Sequence, residues 1–142
     1  MAQQETFGFL LSETARSWRT RLDQRLRPLG LSQAKWQVLV HLNMAKTDFT
    51  QKELSERLCM EGPSLVRLLD RMEADGWVER RASPSDRRAK TIHPTAKAAE
   101  TIREIKSIAA RLRSELLGDI SQQEIDMASD VLQRIKQRAE QL

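Results

Sequence analysis

Residues 62–93 constrain the fold more than any other stretch of this chain. Gly62-Pro63 opens a run in which Leu65, Leu68, Leu69 and Met72 recur at helical spacing. Ser64, Arg67 and Arg71 fall on the opposite side, with Val66 at the border. Pro63 suits the first turn of a helix, where its missing N–H is harmless. Gly76 suits the end. Two β-prone segments follow, 77–81 and 89–93, joined by Ser83-Pro84-Ser85-Asp86-Arg87-Arg88. A helix followed by a basic-tipped hairpin predicts a winged helix-turn-helix. In that fold a recognition helix, here 63–75, enters the DNA major groove, and a wing, here 82–90, reaches the adjacent minor groove.

The charge is concentrated in the same place. Between Trp77 and Lys97 stand six basic residues (Arg80, Arg81, Arg87, Arg88, Lys90, Lys97) and two acidic ones (Glu79, Asp86). Their surplus of four equals the formal net charge of the whole chain, +4, so the remainder is balanced. A localised surplus is what a polyphosphate partner requires.

The flanking segments read as helices. Leu11, Ala15, Trp18, Leu22, Leu26 and Leu29 form one apolar stripe that ends near Pro28 and Gly30. A second helix starts after Ser32 and buries Trp36, Leu39 and Val40. Thr50-Gln51-Lys52-Glu53 is a capping box at the head of a short helix that turns Leu54 and Leu58 inward. Pro94 and Thr95 open a long helix bearing Ile102, Ile105, Ala109, Leu112 and Leu116. Ser121-Gln122-Gln123-Glu124 is a second capping box. Ile125, Ala128, Leu132, Ile135, Ala139 and Leu142 then make a heptad-like seam. The expected class is α+β, mostly α: a single domain, 1–142, with a winged helix-turn-helix at 32–93. Helices at 7–30 and 95–142 lie too far from that lobe's own core to cover it, which points to two-fold pairing with a second copy.

Other classes lack the residues they need. No run of about 18 apolar residues is present, so no membrane span is expected. The N-terminal sequence has no basic start or long apolar core, and the one cysteine fits a reducing compartment, so we expect a cytoplasmic protein. His41, His93 and Cys59 are far apart, with no metal-ligand spacing. No phosphate loop, nucleophile elbow or acid/base pair suggests catalysis, so neither an enzyme nor a cofactor is expected.

Several segments together resemble the MarR/SlyA family of bacterial transcription regulators. They are Leu54-Ser55-Glu56-Arg57-Leu58, Pro63-Ser64-Leu65-Val66-Arg67 with Leu69-Asp70, Gly76-Trp77-Val78-Glu79-Arg80, and Asp86-Arg87-Arg88-Ala89. Asp86 and Arg88 meet the family's Asp-x-Arg wing pattern. Arg27-Pro28-Leu29 before Leu31-Ser32 and Trp36 is similar to the SlyA branch. The likeness implies a homodimer of six helices and a short hairpin, with the terminal helices as dimerisation lobe. It implies binding to palindromic double-stranded DNA, commonly as a repressor. It also implies release by a small aromatic carboxylate held between the lobes. Arg16, Trp18, Ser32, Ala34, Trp36 and Val40 match the positions that line that cleft. Trp18 and Trp36 equally suit core positions.

The chemistry assigns roles at the DNA face. Arg67 can donate two parallel hydrogen bonds to guanine, Ser64 can reach a base or phosphate, and Val66 can touch a thymine methyl. Arg71 and Pro63 lie on the same outward side. Arg87 and Arg88 suit a narrow minor groove, whose negative potential attracts arginine. Asp86 can pair with the Arg88 side chain and can cap its own turn, and the two roles are compatible. Thr50, Gln51 and Lys52 can offer a phosphate the amides of a helix start. Cys59 occupies the turn where the SlyA branch more often has glycine, and a partly buried structural thiol is expected there. A non-enzymatic winged helix that binds protein is the alternative, and the Arg67 face with a basic tip argues against it.

Overall fold

The computed structural model describes residues 2–142. Helix α1 runs Ala2–Leu26 and tightens into a 3-10 turn, Arg27–Leu29. Gly30 closes it at φ 74°, a left-handed position that a Cβ would strain. Helix α2 (Gln33–Met44) starts at Ser32, whose hydroxyl accepts the Lys35 amide. Strand β1 (Phe49–Thr50) leads directly into α3 (Gln51–Leu58). Helix α4 (Gly62–Ala74), strands β2 (Val78–Ala82) and β3 (Lys90–Pro94), and helices α5 (Ala96–Leu117) and α6 (Gln122–Ala139) follow.

The fold is therefore mostly helical with a small antiparallel sheet, as the periodicity predicts, but the sheet has three strands in the order β1-β3-β2. The added strand is the two-residue β1, which pairs Phe49 with Ile92 and Thr50 with Thr91. On the other edge β2 pairs with β3 from Val78↔Pro94 to Ala82↔Lys90. Pro94 ends this strand rather than opening α5. Thr95 makes the turn instead, donating its hydroxyl to the Gly76 carbonyl and accepting the Ala98 amide.

The core explains why the recognition segment folds as it does. Leu65, Leu68, Leu69 and Met72 of α4 are all buried, against Val38, Leu39 and Trp36 of α2, Leu54 of α3, Val78 and Ile92 of the sheet, and Ile102 and Ile105 of α5, so the end of α1 at Leu26 and the first half of α5, expected to lie too far from this core, in fact cover part of it. Each such side chain stabilises the fold by about 1.5–3 kcal/mol. Four on one helix fix which face remains outside. Val38 rather than Val40 is fully buried, and Val40 packs at the edge, because α2 runs through the middle of the core. Helix α4 ends in a Schellman arrangement: the Trp77 N–H donates to Met72 O and the Gly76 N–H to Glu73 O, with Gly76 at φ 79°.

Contacts divide the chain into two compact units, Met1–Ala109 and Ala110–Leu142, with α5 contributing to both. In the first unit, the apolar stripe of α1 passes from fully buried Leu26, through half-buried Trp18 and Leu22, to Phe7, Leu10 and Leu11 in solvent. In the second, α6 is capped by the Ser121/Glu124 box. Its Met127, Val131, Leu132 and Ile135 are all exposed. No helix among the described residues is long and apolar enough to cross a membrane.

Candidate nucleic-acid interface

Burying the four apolar residues of α4 turns the rest of that helix outward. Pro63, Val66, Arg67 and Arg71 are exposed, and Ser64 is half-buried. Arg67 Nη2 lies 3.5 Å from the Ser64 hydroxyl, one turn earlier, as a weak donor. Arg67 and Arg71 are spaced i,i+4 and so stand one above the other on the same face.

The hairpin carries the second group. Between β2 and β3, residues 83–89 form a compact loop, held at its neck by Ser83 N–H donating to Ala89 O at 3.0 Å. Asp86 organises the tip. Its Oδ1 accepts the Arg88 amide at 2.9 Å, and its carbonyl accepts the Ala89 amide at 3.2 Å. Of the two roles open to Asp86, the turn cap is the one present. The carboxylate holds the backbone of Arg88, and no ion pair joins it to the Arg88 guanidinium among the described contacts. Arg87, Arg88 and Lys90 are exposed.

The sheet brings these groups to the start of α3. Because β1 pairs with β3, Thr50, Gln51 and Lys52 share a groove of about 350 Å³ with Asp86, Arg88, Ala89 and Lys90. The capping box is complete: the Thr50 hydroxyl accepts the Glu53 amide at 3.2 Å, and Glu53 Oε2 accepts the Thr50 amide at 3.0 Å. With its amide engaged, Thr50 can offer an anion its hydroxyl hydrogen only. Lys52, Arg88 and Lys90 against Asp86 leave the groove with two net positive charges.

Three of the six basic residues counted from the sequence are engaged by the protein's own groups. Arg81 is paired with Glu79 on its own strand. Arg80 is 13% exposed and binds Asp70 and Glu73 of α4. Lys97 lies 4.4 Å from the Trp77 ring centroid and donates to Asp75 O. The cationic surface is thus narrower than the sequence count suggests and is centred on the wing tip.

A separate cavity of about 670 Å³ lies among α1, α2 and the turn from α3 to α4. Arg19, Gln33, Ala34, Gln37, His41, Arg57, Leu58, Cys59 and Met60 line it. Of the six residues matched to a ligand cleft, only Ala34 is on this surface. Trp36 is core, with its indole N–H donating to Asp23 at 3.3 Å. Ser32 caps α2, Val40 and Trp18 are half-buried, and Arg16 is exposed. The i,i+4 series Gln33, Gln37, His41 was the available signal for this polar wall. His41 Nδ1 lies 2.8 Å from the Gln37 carbonyl, so that nitrogen carries the hydrogen.

Cys59 differs from expectation. Its thiol is exposed, and its backbone sits at φ 52°, ψ 41°, a left-handed conformation that β-carbon crowding disfavours. The turn demands it: Met60 N–H closes back onto Ser55 O at 3.0 Å. Among the described residues no three His, Cys, Asp or Glu side chains converge on a metal position.

Comparison with known proteins matches this architecture. The sequence pattern of the MarR family fits residues 29–89. A solved transcriptional regulator, PA3341, is 46% identical over 96% of this chain and 99% of its own, with a TM-score of 0.90. A cysteine-to-serine mutant of MarR from E. coli, complexed with operator DNA, is 26% identical over 90% of this chain and 91% of its own, with a TM-score of 0.76. AbsC, a MarR family transcriptional regulator from Streptomyces coelicolor, shares the fold at a TM-score of 0.82 with 21% identity, over 99% of this chain and 96% of its own.

Proposed function

Since this chain belongs to the MarR family of transcriptional regulators, we propose that it binds a palindromic duplex operator as a homodimer, with α4 in the major groove and the 83–89 loop in the minor groove. The observation that carries this reading is the sorting of charge. Arg80 and Arg81 are bound to the protein's own carboxylates, whereas Arg67, Arg71, Arg87, Arg88 and Lys90 reach solvent on α4 and the hairpin. Arg67 reads a guanine edge, with Ser64 and Val66 on neighbouring bases. Pro63 and Arg71 lie along the backbone. Arg87 and Arg88 enter the minor groove from a loop that Asp86 shapes. Thr50 and Gln51, with Lys52, hold a phosphate beside the wing root.

A second copy supplies the cover for the exposed apolar faces of α1 and α6. An isologous pairing exposes each patch to its own image, which suits a two-fold operator. Release by a small aromatic carboxylate would use the cavity at Ala34, where Arg19 and Arg57 can meet the carboxylate and Leu58 and Met60 the ring.

Selection of bound sequences from a random duplex pool, followed by a salt titration, tests the central claim. An enriched inverted repeat, with affinity falling steeply as salt rises, is expected. Recovery of no preferred sequence, with flat salt dependence, would refute it. Benzoate titrated into the complex tests release, and unchanged affinity at millimolar benzoate argues against this use of the cavity.

A further inference from the structure

Arg80 lies in the basic hairpin, yet its side chain turns away from the cationic surface and onto α4. Nη1 is 2.7 Å from Asp70 Oδ1 and 3.7 Å from Glu73 Oε1. Nη2 donates to the Val66 carbonyl at 3.2 Å. The Arg80 backbone N–H donates to Glu73 Oε2 at 3.0 Å. Among the described residues the Nε atom, which is buried, has no hydrogen-bond partner. Every one of these bonds ends on α4, at three residues spread over about 10 Å of its length.

We propose that Arg80 is a positioning residue for base reading, which sets the roll of α4 relative to the wing and itself makes no contact with DNA. This rests on the DNA-binding reading above. A planar guanidinium held by a carboxylate and a carbonyl one turn apart resists rotation of the helix about its axis. A side-chain tip about 6 Å from that axis moves about 1 Å for each 10° of roll. Donor–acceptor distances in good hydrogen bonds span only about 2.7–3.2 Å, so such a roll breaks a two-bond contact to a base edge. Val66, whose carbonyl Arg80 holds, adjoins Arg67 in the chain. The fold does not depend on this bond. Leu65, Leu68, Leu69 and Met72 anchor α4 in the core. Asp70 and Glu73, 58% and 45% exposed, remain solvated when the arginine is removed.

The test uses full-length Arg80→Gln, Arg80→Lys and Asp70→Asn beside the wild type. Each is titrated against the selected operator and an unrelated duplex at several salt concentrations, and thermal melting is recorded. Arg80→Gln should melt cooperatively and lower the ratio of operator to unrelated-duplex affinity about tenfold, the discrimination of one good base contact. Its salt slope should equal the wild type's, because no phosphate contact is lost. Arg80→Lys should recover part of the ratio, since an ammonium reaches Asp70 but cannot also hold the Val66 carbonyl. Asp70→Asn should fall between. A slope shallower by about one per half-site, with equal losses on both duplexes, would mean that Arg80 touches phosphate and overturns the proposal. An unchanged ratio overturns it too. If Arg80→Gln does not melt cooperatively, Asp70→Asn decides: wild-type discrimination there sinks the idea. A wild type with no sequence preference refutes the DNA-binding reading, and this inference with it.

Discussion

Replacing Asp86 by alanine sets two physical effects against each other, and the structure decides which is larger. The substitution removes a negative charge from a loop proposed to approach phosphates, which by itself tightens binding. Two unit charges roughly 7 Å apart in water interact by about 0.6 kcal/mol. Screening at 0.15 M salt reduces this to about 0.25 kcal/mol. Against it stands the hydrogen bond from the Arg88 amide to Asp86 Oδ1, 2.9 Å long, in a loop that is otherwise exposed. A net contribution of about 0.5–1.5 kcal/mol is usual for such a bond, and the lower half of that range suits an exposed one. Without it, the loop must be ordered when DNA binds. Order wins by about 0.5 kcal/mol per wing, or about 1 kcal/mol for a dimer, close to fivefold in affinity. Fluorescence anisotropy on the selected operator at 0.15 M salt measures this. Asp86→Asn is the informative control, because its side-chain carbonyl keeps the acceptor and loses the charge. It should bind as wild type or up to about twofold tighter. Tighter binding by Asp86→Ala would make the carboxylate a repulsive bystander. Equal weakening by both variants would mean that charge, not the turn cap, is what the loop needs.

Arg67→Ala should cost about 1–3 kcal/mol per half-site and relax preference at one base position, read by repeating the sequence selection with the variant. Arg88→Ala should weaken operator binding while leaving the melting temperature unchanged, because the residue is exposed on a loop outside the core. Leu132→Asp should shift sedimentation from dimer to monomer, since a carboxylate would be buried unpaired in the proposed interface. A variant that still sediments as the wild-type dimer places the interface elsewhere. Glu124 accepts bonds from the Ser121 amide and hydroxyl, which hold its carboxyl below the ordinary value of 4.5. A depressed folded value means that the cap is fully present above 4.5 and is lost as pH falls through the lower folded value. The protection factor of the Ser121 amide, its exchange rate relative to the intrinsic rate at each pH, should therefore fall on acidification in the wild type and show no such step in Glu124→Gln.

The parts of the fold that were legible in the sequence are those with a repeating pattern or a complete local motif. The period of Leu65, Leu68, Leu69 and Met72 marks the buried side of α4 and so its outward face. Both capping boxes form as read. Strand β1 was not legible, because two residues cannot alternate; Phe49 and Thr50 are a strand only because β3 offers them an edge. Charge counting misled at Arg80, although the remedy was in the strand period. Val78 and Arg80 share one face of β2, and Val78 is core, so Arg80 had to turn inward. Of the six residues matched to a ligand cleft, Trp36 is held away from the cavity at Ala34 by core packing and by Asp23, neither of which local spacing encodes. Cys59 is expected from the sequence as a partly buried structural thiol. The turn geometry instead leaves it outside.

Thr50 is at once the last residue of β1 and the N-cap of α3, so strand and helix share a joint with no linker between them. A flexible tether would let the hairpin swing while the helices stayed still. Here, displacing β3 from its place must either break the Thr50–Thr91 bridge, disrupt the reciprocal bonds with Glu53, or carry the start of α3 along. The hairpin acts as a lever whose fulcrum is built into the helix pair. A load on its tip is thereby transmitted, as a torque on one threonine, to the helix that precedes α4.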